Sequence, residues 1–358
     1  MSILRTELEK RFSEVFPGYD HATCIGYGGQ GEVFRAVGPR GICAIKVFGL
    51  DDRHQIPVVH DRIRREISMA QRITAIIDGL SIAGQDRLVG IWKVLGQHEI
   101  VEFHGHRLFG MVMRYFQEGT LEHWRRERQQ LDLWMLHALV DDLVSGLGCL
   151  HALNLVHHDL KPSNIFIASE TMAGVSRPRA FIGDFGCTRH QHEHTRMLDK
   201  RYAPPDHDEM SGESWDMYSL AMVLLFLIRG DLADEAWQVS PFNNCHLTIA
   251  HRALATARTR QHVSGTSMDW YDGMLRLIKQ ASAFQWQLRP SLTDFSVAVH
   301  RLAVHAADAG SHRESLWRNV AGALRRIAGL NLPAKPESSY SAPLPIQTQD
   351  PNEHPKSM

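Results

Sequence analysis

Leu155-Val-His-His-Asp-Leu-Lys-Pro-Ser-Asn-Ile-Phe-Ile167 is the stretch on which the reading of this chain turns. An apolar strand end runs into a polar loop, and Ile165-Phe-Ile167 returns to strand. Within six residues that loop collects a base, a cation and an amide oxygen in Asp159, Lys161 and Asn164. Phe181-Ile-Gly-Asp-Phe-Gly186 follows the same plan, an apolar strand ending in a carboxylate and a glycine turn. Two oxygen ligands from adjacent strand ends, Asn164 and Asp184, suit a hard cation such as Mg2+ held together with substrate phosphates.

Upstream, Gly26-x-Gly28-x-x-Gly31-x-Val33 joins β-like His21–Ile25 to β-like Glu32–Val37. Glycines there permit a tight turn and let backbone N–H groups approach phosphate oxygens that a Cβ would obstruct. Taken alone the pattern equally describes a flexible hairpin turn. A dinucleotide-binding motif requires a helix straight after the glycines, and a strand follows instead. Lys46 interrupts the apolar run Ile42–Phe48, where an ammonium needs anionic company. Glu66 is the candidate partner, on the edge of the stripe Ile63, Ile67, Ala70, Ile73 and Ile77 of a helix over 61–77. Plain helix-surface charge is its other reading.

In this order the motifs resemble the eukaryotic-type Ser/Thr protein kinase superfamily: glycine loop, Ala-Ile-Lys46, helix Glu66, His157-x-Asp159-x-Lys161-x-x-Asn164 and Asp184-Phe-Gly186. With Arg289-Pro290-Ser291 the resemblance covers residues 20–305, and divergence from the common pattern points to a bacterial-type member. It implies an α+β bilobal fold, with a small β-rich N-lobe carrying one key helix and a larger, mainly helical C-lobe. It also implies ATP and Mg2+, with Mn2+ as the alternative ion. Gly26, Gly28, Gly31, Val33 and Ala44 would surround the nucleotide, and Lys46 paired with Glu66 would hold its phosphates. Asp159 would accept the substrate proton, Lys161 would steady the transferred phosphate, and Asn164 and Asp184 would carry the metal. Met111–Leu121 resembles the hinge, with Met113 as gatekeeper and Tyr115 near the adenine; it also reads as a hydrophobic strand. Asp216 would brace the catalytic-loop backbone. Lys161, two residues after Asp159, is the Ser/Thr-type pattern, so the implied partner is a protein Ser/Thr hydroxyl, with Thr188 and Thr195 as autophosphorylation candidates.

Two other classes compete. A pseudokinase or nucleotide-binding scaffold acting through partners normally lacks Lys46, Asp159 or Asp184, and all three are present. Small-molecule phosphotransferases generally lack the complete glycine loop and Asp-Phe-Gly.

Several positions depart from the pattern. His158 stands where many kinases have Arg; mostly neutral at pH 7, it makes a poor clamp for a phosphorylated loop. Activity without strict dependence on loop phosphorylation is therefore expected. Asp206 replaces a Glu in the expected ion pair with Arg289, and Asp199 occupies the place of a substrate-loop Thr. Ser169 to Arg179 reads as an extended surface loop. His190, His192 and His194, near Cys187, share one side of an extended strand, which suits a metal site or simply an exposed polar loop.

Of 358 residues, 44% are apolar and 22% charged, which excludes wholesale disorder. The 39 Lys and Arg balance 40 Asp and Glu, so no nucleic-acid partner is expected. The longest clearly apolar run, Leu220–Ile228, is far short of the roughly 20 residues of a membrane-spanning helix. The start MSILRTELEKRF lacks the apolar stretch of a secretory signal, and five scattered cysteines without C-x-x-C spacing favour a reducing, cytoplasmic setting. The expected organisation is a helix within 1–19 (periodic over 3–16), an N-lobe over 20–115 and a C-lobe over 116–305. Further strands are expected at Leu88–Leu95, Glu99–Phe103 and Leu108–Tyr115, and helices at 131–153 and 215–229. A basic amphipathic helix over 306–332, whose part 311–332 carries net +3, would touch anionic lipid, dock a partner or pack on the catalytic core. Residues 333–358, with six prolines, read as a disordered tail.

Overall fold

Cys43-Ala-Ile-Lys-Val-Phe48 alternates between two cores, as a strand buried on both faces must. The computed structural model describes residues 3–28, 31–50, 57–80, 94–128, 131, 133–172, 175–191, 193, 199–206, 212–230 and 265–308. Strands β1 (Asp20–Gly28), β2 (Gly31–Gly38), β3 (Gly41–Phe48), β4 (Val94–Phe103) and β5 (His106–Arg114) form an antiparallel sheet ordered β1-β2-β3-β5-β4. Cys43, Ile45 and Val47 face outward with Leu108 and Val112, covered by Leu8, Phe12 and Phe16 of the N-terminal segment. Ala44 and Phe48 face inward with Phe109, Met111 and Met113, against Ile63, Ile67, Ala70 and Ile73 of helix α3 (Pro57–Leu80). Between Phe109 and Met111, Gly110 leaves room for the Phe16 ring, which a Cβ there would strike.

The N-terminal segment is two helices rather than the single one expected over 3–16: α1 (Ile3–Lys10) and α2 (Phe12–Val15). A turn at Arg11 separates them, and Phe12 stacks on Phe16 at 4.8 Å and meets Phe34 at a tilt at 5.2 Å. Packing of two rings on one sheet face outweighs the continuity of a short helix. Strand β4 is continuous where two strands were expected; Leu88–Lys93 lies outside the described residues.

Helices α4 (Leu121–Arg126), α5 (Leu133–Ala152), α6 (Glu213–Arg229), α7 (Gly265–Ala281) and α8 (Leu292–Asp308) build the second, mainly helical part. Thr120 caps α4, its hydroxyl accepting from the His123 amide at 3.3 Å. By length and composition α5 is apolar enough to cross a membrane, although no single run in it is long. Here it is the central core helix: Leu136, Leu139, Leu143, Leu147 and Leu150 pack with Leu220 and Leu224 of α6, Met274 of α7 and Phe295 of α8. The result is the bilobal α+β fold anticipated from the motifs, with one apolar core continuous from the inner sheet face into the helical lobe.

Short strands β6 (Leu155–Val156) and β9 (Arg189–His190) pair, and β7 (Ile165–Met172) and β8 (Val175–Ile182) form a hairpin. Most of Ser169–Arg179, expected as a surface loop, therefore belongs to paired strands. Arg177 and Arg179 share a strand face and both reach Asp142, an acid buried in α5; Arg179 Nε lies 3.0 Å from its Oδ1. The Ala180 amide donates to the other oxygen at 3.0 Å. Burial holds the Asp142 carboxyl above its usual range despite the two guanidiniums. Without the hairpin this carboxylate would be buried with no counter-charge.

The described residues 3–308 belong to one compact unit. The expectations for 311–332 and 333–358 lie outside the described residues, and α8 runs past the expected boundary at 305, to Asp308.

Candidate active site

The glycine motif forms the end of the β1–β2 hairpin, with Gly26 opposite Val33, Tyr27 opposite Glu32 and Gly28 opposite Gly31. Gly31 has φ +123°, and a Cβ on it would lie 2.8 Å from the Val47 carbonyl oxygen, so only glycine fits. Behind this hairpin Ala44 pairs with Met113, and Val33 and Tyr115 pack against the same inner core. The four residues expected around a nucleotide base thus belong to one apolar cluster.

Lys46, opposite Val33 on β3, projects into that inner layer and is 7% exposed. Its Nζ donates to Glu66 Oε1 at 2.6 Å and to Asp184 Oδ1 at 3.4 Å. Burial by itself would lower the Lys46 pKa; the Asp184 and Glu66 carboxylates outweigh it and hold the ammonium above its ordinary value. Asp184 is half-buried, its side chain 21% exposed; burial would raise its carboxyl, and the Lys46 ammonium holds it below the usual range. Asp184 adopts a left-handed backbone, φ +59°, at the start of the turn Phe185–Cys187. Gly186 lets Glu66 come close: a Cβ there would sit 2.9 Å from Glu66 Oε2.

In the loop after β6, Lys161 Nζ bonds both Asp159 oxygens, at 3.0 and 2.8 Å. Asn164 Nδ2 donates to the Asp159 carbonyl at 2.8 Å and to its Oδ2 at 2.9 Å. Both amide hydrogens of Asn164 are thereby spent on Asp159, and its side-chain oxygen takes no part in that contact. The Gly183 amide donates to the Asn164 carbonyl at 2.9 Å and ties this loop to the strand end that carries Asp184. Burial pushes the Asp159 carboxyl up, and Lys161 pulls it partly back.

One residue reaches the loop from farther away, and one within it reaches across the site. Asp216, fully buried on α6, accepts from the His157 amide at 2.8 Å, the His158 amide at 3.0 Å and His151 Nε2 at 2.9 Å. Burial would raise its pKa, and the hydrogen bond from His151 keeps the carboxyl below its usual range. The His157 ring, unassigned in the sequence reading, spans the two halves of the site. Its Nδ1 accepts from the Asp159 amide at 3.3 Å, so the proton belongs on Nε2, which faces the Gly183 carbonyl at 3.0 Å. Its position two residues before the base was the only sequence signal for that role.

A protein kinase domain family model matches residues 19–297. The chain belongs to the protein kinase family. It is 23% identical over 342 residues to Serine/threonine-protein kinase TOS3 of Saccharomyces cerevisiae, covering 85% of this chain and 56% of that protein. The interferon-induced, double-stranded RNA-activated protein kinase of Mus musculus is 24% identical over 239 residues, 62% of this chain and 41% of that protein. Probable serine/threonine-protein kinase PkwA of Thermomonospora curvata is 28% identical over 219 residues, 58% of this chain and 25% of that protein. The chain spans between a quarter and about half the length of these relatives.

Within this kinase domain the departures have physical partners. Asp206 takes up the expected ion pair, 2.5 Å from Arg289 Nη2, and also accepts from the Trp286 amide at 3.1 Å. Asp199 turns to Arg201, whose Nη2 lies at 2.9 Å. His158 has φ +63° and is 1% exposed; its ring meets Trp215 edge-on at 5.0 Å, with neither nitrogen hydrogen-bonded. Burial lowers its pKa to about 4, so the ring is neutral. Thr188 is wholly buried, so its hydroxyl is not presented as a phosphate acceptor; Thr195 lies outside the described residues. Of the histidine trio only His190 is described, in β9, and the Cys187 thiol is buried and pushed up to about 11. Among the described residues no group of three His, Cys, Asp or Glu has metal-holding geometry.

Proposed function

We propose that this chain is an ATP-dependent Ser/Thr protein kinase that moves the ATP γ-phosphate onto a protein hydroxyl. The observation that carries the reading is the union of two clusters, Lys46–Glu66–Asp184 and Asp159–Lys161–Asn164, through Gly183 and His157. Phosphoryl transfer has a loose transition state, so catalysis is chiefly positioning and charge neutralisation.

In this mechanism the glycine hairpin covers the phosphates, and Lys46, fixed by Glu66, meets their α/β charge. The Asn164 amide oxygen and the Asp184 carboxylate hold Mg2+, which supplies neutralisation of the transferring group when bound; Mn2+ is the alternative ion. Asp159, its proton affinity raised by burial, takes the proton of the acceptor hydroxyl as the new O–P bond forms and the bond to ADP breaks. Lys161 steadies the transferred phosphoryl group. The neutral, buried His158 offers no charge to a loop phosphate, so activity does not depend strictly on loop phosphorylation. Thr195 is the autophosphorylation candidate.

The test is transfer of labelled γ-phosphate from Mg·ATP by wild type, Asp159→Asn and Lys46→Ala. Transfer by wild type alone supports the reading. Equal background in all three removes it, and nucleotide binding that persists would then favour a scaffold. Mass spectrometry of the incubated protein reads Thr195.

A further inference from the structure

The glycine hairpin does not stand alone. Arg5, in the first turn of α1, reaches Glu32 at the base of the glycine turn, with Nε 2.6 Å from Oε2 and Nη2 3.1 Å from Oε1. The same guanidinium lies 4.3 Å from the centroid of the Tyr27 ring. Tyr27 and Glu32 are cross-strand partners, one residue outside the Gly28–Gly31 pair. One side chain therefore grips both strands of the hairpin immediately behind its tip. The ion pair is largely withdrawn from water, with side-chain exposures of 10% and 12%, and two parallel N–H···O contacts fix its direction as well as its distance. The Arg5 pKa is raised by its hydrogen bond to Glu32, so the guanidinium is charged at any working pH.

One turn along the same helix, Glu9 Oε1 accepts from the Cys24 amide at 2.6 Å. Cys24 lies in β1, the edge strand of the sheet, next to a register shift between Cys24 and Gly26. Leu8, from the same helix, anchors it in the outer core. The N-terminal helix thus touches the glycine hairpin through the Arg5–Glu32 pair, the Tyr27 ring face and a strand-edge amide. Glycine-rich backbone has little stiffness of its own, and these contacts supply it.

We propose that Arg5 is a positioning residue for the nucleotide: through Glu32 and Tyr27 it holds the glycine hairpin in its phosphate-covering conformation. This rests on the kinase reading above. A hairpin that is closed only part of the time weakens apparent nucleotide affinity by the closed fraction, while turnover of the bound complex is unaffected. Loss of Arg5 therefore raises KM for ATP and leaves kcat alone, which a general packing role would not do.

The experiment compares the full chain with Arg5→Ala, Glu32→Ala, the double variant and the charge swap Arg5→Glu/Glu32→Arg. Amide hydrogen exchange reports the hairpin directly, and ATP titration reports KM and kcat. Each single variant should speed exchange of residues 26–33 and raise KM for ATP, both by about tenfold, with kcat within about twofold. The double variant should be no worse than either single one, and the swap should recover part of the loss. The proposal is overturned if hairpin exchange is unchanged, if kcat falls at constant KM, or if the swap behaves like the double variant. If wild type transfers no phosphate, the kinase reading falls, and exchange together with equilibrium binding of a fluorescent ATP analogue still decides for or against the brace.

Discussion

Two lysines each hold an aspartate in this site, and they do so in opposite ways. Lys46 lies between Glu66 and Asp184 with 9% of its side chain exposed; Lys161 faces Asp159 with 20% exposed. The upper cluster has two carboxylates for one ammonium, whereas the lower pair is balanced and shared with a neutral amide. The upper cluster is therefore one positive charge short, a deficit that the metal of the proposed mechanism would fill. In the lower one the balance suits the proton exchange proposed for Asp159. In the proposed mechanism similar residue types would serve charge storage in one place and proton transfer in the other, and the two lysines differ in how far they are withdrawn from water.

The largest expected effect falls on the lower centre. Asp159→Asn should reduce phosphoryl transfer by about a thousandfold while nucleotide binding persists, measured by steady-state transfer beside equilibrium titration. Comparable loss of binding and transfer would break the division of labour. Next comes Lys46→Ala, which strands the buried Glu66 carboxylate and the half-buried Asp184. It should cost about 3 kcal/mol in denaturant unfolding, with nucleotide affinity lost as well. A Lys46→Ala protein as stable as wild type would mean the upper cluster is not the tight assembly its geometry suggests.

Acid should part the two regions by a similar amount. The His158 pKa is depressed to about 4, so the unfolded chain takes up that proton first. Its contribution, about 3 kcal/mol, is present above pH 6.5 and is lost as pH falls toward 4. The depressed Asp184 contribution is lost only below the ordinary carboxylate range. Unfolding free energy followed from pH 7 to 4 should fall less steeply in His158→Asn, which tolerates the left-handed backbone, than in wild type; His137, which burial also lowers to about 4, keeps part of the slope in both. Parallel curves would remove His158 as the cause. The smallest effect belongs to Lys161→Ala: about 1 kcal/mol of stability, because Asp159 keeps the Asn164 amide as a donor. Its transfer rate should fall even so, so calorimetry and kinetics together separate the two lysines.

Much of this was legible where the chemistry is local. Asp159, Lys161 and Asn164 lie within six residues, and the continuous apolar run around Lys46 announced a strand in which an ammonium needs a partner. The misreading of Ser169–Arg179 came from judging the segment by its own polar composition. The signal lay elsewhere: Asp142 sits inside an apolar helix and needs a cation, and Arg177 and Arg179, two apart, share the strand face that answers it. Arg5 and Glu32 are separated by 27 residues, and neither sits in an apolar run that would mark it as withdrawn from water. The break at Arg11 was invisible for a related reason, since the four-residue spacing of Leu8, Phe12 and Phe16 satisfies one helix as well as two.

The missing methyl of Gly186 sets a tolerance for the whole assembly. Glu66 cannot retreat from a side chain at that position without loosening Lys46, so even alanine there would push on the ion pair. Helix α3 and the Asp184–Gly186 turn thus behave like a bolt and its keeper, cut to a clearance of less than one carbon atom. Displacement of either part is felt at once by the other, and the lysine between them registers whether the two are seated.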